Sequence, residues 1–255
     1  MNIATPGRNH AAGGGACIAA ALTAAAVCTL TACGPGVATP MPEPPTFNFA
    51  RIGPPETEPV TQPASTPDGG RHIYGLSGAA PPGSLVRVTN LDRVDPTVVS
   101  SVKPDGGFDL NIVVNPGDEL RFAWSSGPEQ GAPQDARFIQ DSSSFHFEPA
   151  ARFGCLQFTP GLALDFAGGT PQSLRLQNDC GFAVSLATPR TRLGLDDFVL
   201  QTALPLVIPA GGATELSISF ARAQAGSRED TLFFDVTANA DVIRYAVTLG
   251  APAAP

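Results

Sequence analysis

Proline and glycine interrupt this chain throughout its length, and this feature constrains its fold more than any other. The 255 residues include 26 prolines and 27 glycines. Proline lacks the backbone donor that a helix needs, and glycine weakens a helix interior, so this spacing argues against long helices. The glycines follow no three-residue period, which excludes a collagen-like chain. Together with the short apolar runs, the pattern predicts an all-β protein with a proline-rich segment.

The charge balance of the chain excludes one class of partner. There are 23 acidic and 15 basic residues, for a net charge of −8. Nucleic-acid binding requires clustered Lys and Arg to neutralise phosphates, and no such run occurs. We therefore expect no nucleic-acid partner, and we expect the acidity to promote solubility.

The N-terminal segment has the features of a bacterial export signal. One Arg and one His precede an uncharged run over residues 11–32, and the sequence at 30–33 is Leu-Thr-Ala-Cys. A short basic region followed by an apolar region is typical of a signal peptide. The four residues resemble the lipobox of bacterial lipoproteins. This resemblance implies a signal peptide over 1–32, cleavage between Ala32 and Cys33, a lipid on the Cys33 sulfur and an acyl chain on the new amine.

Two other interpretations of this segment remain open. One is an ordinary cleaved signal that releases a soluble protein. The other is an uncleaved membrane span, since the run approaches the length of about 20 residues that a span needs. The residue after Cys33 is Gly34 and not Asp, and by the same resemblance this implies sorting to the outer membrane.

The five cysteines are consistent with export. If the lipobox resemblance holds, two of them leave with the signal peptide and Cys33 is acylated. Cys155 and Cys180 then remain in an oxidising compartment, where we expect them to form a disulfide. A redox or nucleophilic pair is the alternative, but the spacing is not that of a Cys-x-x-Cys motif.

Residues 33–70 form the predicted linker. Ten prolines fall within residues 34–70, and proline favours the polyproline II conformation. We expect no sheet or helix here, and we expect a disordered tether that holds the folded part away from the membrane. A ligand for a proline-recognition domain is an alternative. Phe47, Phe49 and Ile52 are unusual in a spacer, and they either dock on a neighbouring surface or are simply tolerated.

Residues 71–145 show the two-residue alternation of β-strands, interrupted by turns. Phe108, Leu110 and Ile112 share one strand face, and the turn sequences at 104–107 and 115–118 are Pro-Asp-Gly-Gly and Asn-Pro-Gly-Asp. The order of these turns resembles bacterial Ig-like and carboxypeptidase-regulatory-like modules. The short spacing of the strands predicts a small β-sandwich, and the resemblance implies a spacer or adhesive unit.

Residues 146–250 show a second set of alternating strands, and 251–255 form a short tail. The sequence is Leu-Asp-Phe at 164–166, Ser-Leu-Arg-Leu-Gln-Asn at 173–178 and Asp-Thr-Leu-Phe-Phe at 230–234. This order resembles the ASH/HYDIN-like Ig superfamily, including its choice-of-anchor D type. The expected fold class is therefore all-β, with two Ig-like β-sandwich domains in series after the disordered linker.

The sequence contains no convincing catalytic or metal-binding constellation. A hydrolase would have to use His72 or His146, and no nucleophile elbow accompanies either of them. His146 and Glu148 share a strand face, but two ligands are too few for zinc. A group of acidic residues could bind calcium, but they are better explained as turn residues: Asp92, Asp95, Asp105, Asp109, Asp118 and Glu119. We expect no catalytic residue, no metal and no cofactor.

These observations predict a non-catalytic envelope lipoprotein. Its membrane contact would be the N-terminal lipid, and its Ig-like modules would serve structural, adhesive, or protein- or glycan-binding roles. One alternative is an accessory subunit of a larger envelope complex, docked through edge strands. A small envelope hydrolase with His72 or His146 as its base is a further alternative.

Overall fold

The computed structural model describes residues 46–53, 70–127, 129–141, 145–194, 196–221 and 228–251. These residues contain eighteen β-strands and two short 3-10 turns, at Phe49–Arg51 and Ala167–Gly169. The strands of the first half are β1 (Ile52–Gly53), β2 (Gly70–Gly75), β3 (Leu85–Asn90), β4 (Val98–Ser101), β5 (Phe108–Val113), β6 (Glu119–Ser126), β7 (Glu129–Gln130), β8 (Gln134–Gln140) and β9 (Phe145–Pro149). Those of the second half are β10 (Leu156–Thr159), β11 (Ala163–Asp165), β12 (Gln172–Asn178), β13 (Val184–Thr191), β14 (Phe198–Leu200), β15 (Leu206–Ile208), β16 (Ala213–Phe220), β17 (Arg228–Ala238) and β18 (Asp241–Ala251). The predicted all-β class is confirmed.

The first sandwich consists of a small sheet and a large sheet. The small sheet has the order β1-β2-β5, and the large sheet has the order β4-β3-β6-β8-β9, with β7 paired to β6. All of these pairings are antiparallel. Side chains that point between the two sheets form one core, which includes Ile73, Val86, Val88, Phe108, Leu110, Ile112, Leu120, Phe122, Trp124, Phe138 and Phe147. The predicted inner face of β5, formed by Phe108, Leu110 and Ile112, is confirmed.

The predicted turn before β5 requires glycine at one position. Gly106 has φ +87°, a conformation that L side chains rarely adopt. A Cβ on Gly106 would also lie 2.7 Å from the carbonyl oxygen of Ala80. The Asp105 carboxylate accepts a hydrogen bond from the Gly107 amide at 2.9 Å, so this aspartate stabilises the turn as predicted.

A short part of the predicted linker is folded, and here the expectation that no sheet or helix forms was wrong. Residues 46–53, which we name the strap, contain the first 3-10 turn and β1. β1 pairs with the end of β2, with Ile52 opposite Gly75. The strap joins the core because its apolar side chains are buried there. The other linker residues, up to Gly69, lie outside the described residues.

The second sandwich also consists of two sheets. One has the order β10-β12-β16-β14 and the other has the order β11-β18-β17-β13-β15. β11 is parallel to β18, and the remaining pairings are antiparallel. A second, separate core lies between these sheets and includes Leu164, Phe166, Leu174, Leu176, Leu186, Leu216, Ile218, Phe234, Val236, Tyr245, Val247 and Leu249. The resemblance of the two regions to Ig-like families stays a prediction.

The predicted disulfide is present. Cys155 and Cys180 are bonded, with their Cα atoms 5.0 Å apart. The bond joins the residue before β10 to a residue just after β12, and these strands are neighbours because Leu156 pairs with Asn178. The disulfide therefore reinforces one edge of the second sandwich.

The two sandwiches pack face to face. Along β6 the apolar residues point into the first core, so the alternate residues point away from it. Along β18 the same alternation turns Arg244, Ala246 and Thr248 away from the second core. These two outward faces meet, and Leu91 of the first sandwich packs there with Phe233 and Ala246 of the second.

Candidate functional site: the charged seam between the sandwiches

A network of charged residues lies where the two sandwiches meet. It comprises Asp92, Glu119, Arg121, Asp135, Arg152 and Arg244, and we name it the seam. Charged side chains are rarely buried unless they are paired. The geometry of each pair therefore decides what the seam can do.

Arg121 and Asp135 form the centre of the seam. They are direct cross-strand partners on β6 and β8. The guanidinium donates from Nε to Oδ1 at 2.7 Å and from Nη2 to Oδ2 at 2.8 Å. This two-bond geometry is the one in which arginine binds carboxylates best. The second sandwich covers both side chains, and only 4% and 3% of their surfaces are exposed.

Arg121 also binds the second sandwich directly. Its Nη1 donates to the hydroxyl of Thr248 at 2.8 Å and to the carbonyl oxygen of Leu162 at 3.3 Å. Its Nη2 donates to the carbonyl oxygen of Ala246 at 2.5 Å. The buried Arg121 side chain therefore bonds to both sandwiches, and its N–H donors bind acceptors within the protein.

Two further arginines extend the network. Arg152, in the segment between the sandwiches, donates to Asp135 at 2.5 Å and to Glu119 at 2.9 Å, and its guanidinium lies 5.1 Å from the ring centre of Tyr245. Arg244 donates to Glu119 at 2.8 Å and to Asp92 at 2.5 Å. Each carboxylate of the seam therefore contacts at least one guanidinium.

The electrostatics of the seam favour the charged forms. Burial alone would raise the pKa of Asp135, but the charges of Arg121 and Arg152 and their hydrogen bonds outweigh burial and lower that pKa. The pKa of Asp92 is also lowered, because bonds from Arg244 and from the Glu119 amide outweigh its partial burial. Both carboxylates are therefore stabilised as anions.

A second set of contacts holds the sandwiches together beside the seam. Arg192, which follows β13, donates to the carbonyl oxygens of Arg93 at 2.7 Å, Asn90 at 3.0 Å, and Asp95. Burial is the main reason that the pKa of Arg192 is lowered. Arg87 of β3 pairs with Glu229 of β17. Polar contacts therefore join the two sandwiches at several separate positions.

A groove of about 550 Å³ opens at one side of the seam. Its charged lining residues are Asp92, Asp118, Glu119, Arg137, Arg152, Asp235 and Arg244. Four of these seven belong to the seam and contact one another there. The carboxylate of Asp118 accepts hydrogen bonds from Asn115 and Asn90 at 2.8 Å. Most of the charged side chains of the groove therefore take part in the ion pairs that hold the two sandwiches together.

The residues predicted from the sequence are distributed over several places. Ala32 and Cys33 lie outside the described residues. His72 lies 3.6 Å from Asp109, and its ring centre is 4.0 Å from that of Tyr74. Neither His72 nor His146 belongs to the seam.

His146 and Glu148 are close, as their shared strand face predicted. Nε2 of His146 lies 3.2 Å from Glu148, and Nδ1 lies 3.6 Å from Asp141, a neighbour that the sequence did not indicate. Because the two carboxylates approach different ring nitrogens, they do not converge on one point. Among the described residues, no group of three His, Cys, Asp or Glu side chains could hold a metal ion.

The seam was missed by reasoning from the sequence. Alternating charged residues on a strand normally indicate a face in contact with water, and Glu119 was interpreted as a turn residue. The one available signal was the arginine content, since only Lys103 among the 15 basic residues is a lysine. Arginine is the cation better suited to buried, two-bond contacts.

Comparisons with known proteins do not show a family. No family model matches the chain, and no curated protein matches it. Among solved structures, a VesB protease of Vibrio cholerae aligns with a TM-score of 0.36 and 7% identity over 67% of this chain, which spans 62% of the protease. A protein of unknown function from Porphyromonas gingivalis W83 aligns with a TM-score of 0.31 and 17% identity, covering 73% of this chain and 92% of that protein. At these TM-scores neither likeness bears on function.

In the part of the chain that the structure describes, no helix has the length and hydropathy of a membrane span.

Proposed function

We propose that this chain is a non-catalytic lipoprotein of the bacterial envelope whose two β-sandwiches form one rigid head. The lipid on Cys33 holds the head at the outer membrane, and the head presents a surface to an envelope protein or glycan. The observation that carries the proposal is the Arg121–Asp135 pair, which is buried between the sandwiches and bonded to both of them.

The chemistry of the seam supports a structural role. A buried ion pair contributes little net stability compared with apolar residues, but it is costly to break, so it disfavours arrangements in which its partners separate. Arg121 reaches a hydroxyl and carbonyl oxygens of the second sandwich, and these bonds need one particular placement of the two sheets. A head with one fixed shape is suited to presenting a binding surface, because little ordering is required on binding.

The anchor is supported by the sequence at 30–33. Leu-Thr-Ala-Cys follows an uncharged run and precedes Gly34, the arrangement that resembles a lipobox. More than one acyl chain is needed for stable anchoring, because each buried CH₂ adds roughly 0.8 kcal/mol. The predicted thioether lipid and amine acyl chain meet this requirement.

The anchor is tested by mass spectrometry and fractionation of the native protein. We expect a mature chain that begins at Cys33 with lipid attached, and we expect Cys33→Ala to leave the membrane fraction. Ala38→Ser is the matched control and should remain with the membrane. An unmodified thiol at Cys33, or a mature chain that begins elsewhere, contradicts the proposal.

The non-catalytic role is tested with native protein and isolated envelope material. We expect binding to isolated cell wall or polysaccharide, without turnover. Co-purification of one stoichiometric partner with solubilised membrane favours the accessory-subunit alternative. Hydrolysis of envelope material that disappears in His72→Ala/His146→Ala supports the hydrolase alternative and contradicts the proposal.

A further inference from the structure

The strap lies between the predicted lipid site and the folded head, and its aromatic side chains are part of the head. Phe47 is 6% exposed and belongs to the first core. The ring centres of Phe47 and Phe49 lie 5.6 and 5.3 Å from that of Phe122. Phe122 projects from the middle of the large sheet, so the strap closes one side of the first core.

The backbone of the strap is also bonded to the first sandwich. Ile52 is 3% exposed and pairs with Gly75 at the end of β2. The Asn48 amide donates to the carbonyl oxygen of Ala79 at 3.0 Å, and the Leu76 amide donates to that of Arg51 at 2.9 Å. These contacts join the strap to β2 and to the loop that follows it.

The strap divides the chain between the lipid site and β2 into two parts. Thr46 lies 13 positions after Cys33, whereas Gly70 lies 37 positions after it. A chain spans at most 3.3–3.6 Å per residue. The first part can therefore span at most about 45 Å, and the whole distance to Gly70 could span about 130 Å.

We propose that the strap is a clamp on the tether: it limits the reach of the head to the thirteen residues before it. This inference rests on the proposed function, since it requires the lipid at Cys33. It explains why apolar residues occur within a proline-rich spacer. Residues 54–69 follow the docked strap, so their length does not contribute to the reach.

The proposal predicts an asymmetry between insertions on the two sides of the strap. A second copy of residues 54–69, inserted between Pro40 and Met41, adds chain before the clamp. The same sixteen residues, inserted directly after Gly69, add an identical sequence behind the clamp. Neither insertion alters a residue of the strap or of either core, so both variants keep the contacts that hold the head together.

The measurement is the height of the head above a supported bilayer that carries the native lipidated protein, determined by neutron reflectometry. We expect the insertion after Pro40 to raise the maximum height by up to about 55 Å. The insertion after Gly69 should leave the height at the wild-type value. Equal increases from both insertions would overturn the proposal, because the strap would then not be limiting the tether.

Failure of the clamp and failure of the anchor give different results. A protein that stays on the bilayer but responds equally to both insertions overturns the clamp alone. A wild-type protein that does not stay on the bilayer overturns the lipid anchor, and the clamp with it. A second measurement on the bilayer-bound protein uses Gly53→Cys/Tyr74→Cys, in which the paired positions of β1 and β2 can be crosslinked. We expect crosslinking to leave the height unchanged, and a decrease on crosslinking would also overturn the clamp.

Discussion

The guanidinium of Arg121 and the carboxylate of Asp135 form two parallel hydrogen bonds of 2.7 and 2.8 Å across neighbouring strands of the first sandwich, where the second sandwich covers them. This pair connects three elements, because Arg121 also reaches the second sandwich and Asp135 also accepts from Arg152. The contribution of this pair can be measured through the free energy of unfolding of the head and through the dependence of that free energy on pH.

Removal of the carboxylate charge at the centre of the seam should destabilise the protein strongly. Asp135→Asn keeps the side-chain size but leaves Arg121 buried without its counter-ion, and breaking a buried pair costs about 3–5 kcal/mol. Urea unfolding measures the change in the free energy of unfolding. Asp141→Asn is the control, because the Asp141 side chain is 59% exposed, and it should change stability by less than about 0.5 kcal/mol. A similar small effect for both variants would contradict a structural role for the seam.

Replacing both partners together should cost less than breaking the pair. Arg121→Met/Asp135→Leu removes both charges and restores apolar volume, and such replacements are often close to neutral. Arg152 would keep Glu119 as a partner, at 2.9 Å. We expect the double variant to be more stable than Asp135→Asn in the same urea experiment. A double variant that loses at least as much stability as Asp135→Asn would show that charge pairing is not what the site requires.

The stability of the head should fall in acid. The pKa of Asp135 is lowered in the folded protein from its usual value of 3.8, as is that of Asp92. A folded-state pKa below the unfolded value stabilises the protein above the unfolded pKa, and this contribution is lost as the pH falls through the folded pKa. We therefore expect the free energy of unfolding to decrease below about pH 4. Asp135→Asn should show a smaller decrease than wild type, and an unchanged slope would contradict the assignment.

The strap should contribute to the stability of the first sandwich. Phe47→Ala removes a ring that is buried among other aromatic rings, and such changes cost about 3–5 kcal/mol. The matched control is Thr46→Ala, at an exposed position of the same segment. Limited proteolysis provides an independent measurement, and we expect faster cleavage within 46–53 in the Phe47 variant. Equal stability of both variants would show that the strap does not contribute to the stability of the first core.

The disulfide should stabilise the second sandwich. Cys155 and Cys180 are separated by 25 residues, and closing a loop of this size corresponds to about 3.5 kcal/mol in the chain-entropy account. We expect Cys155→Ser/Cys180→Ser to lose stability of this order in urea. Reductant should destabilise wild type and leave the double variant unchanged. A response of the double variant to reductant would mean that another thiol is involved.

Local patterns were sufficient to predict many of the strands and their inner faces. The alternation of Phe108, Leu110 and Ile112 identified the inner face of β5 because side chains on a strand point to opposite faces with a period of two. The turn at 104–107 could be predicted because aspartate and glycine satisfy local backbone requirements. These features depend only on neighbours in the chain.

The candidate site could not be predicted in the same way. Glu119 and Arg121 occupy positions that would contact water in a single sandwich, and they are buried because a second sandwich covers them. That cover comes from residues more than 100 positions away, such as Ala246 and Thr248. No local pattern distinguishes a charged face that contacts water from one that contacts another sheet.

In the strap, too, the sequence indicated one part of the outcome and the tertiary structure decided the other. Phe47 and Ile52 were recognised in the sequence as unusual for a spacer, but either docking or tolerance would have explained them. The sequence by itself determined the all-β class, the inner face of strands such as β5 and the residues available for a disulfide, because these follow from alternation, turn chemistry and composition. Only the tertiary structure decided which charges are buried and where the spacer is held, because burial depends on surfaces that distant parts of the chain bring together.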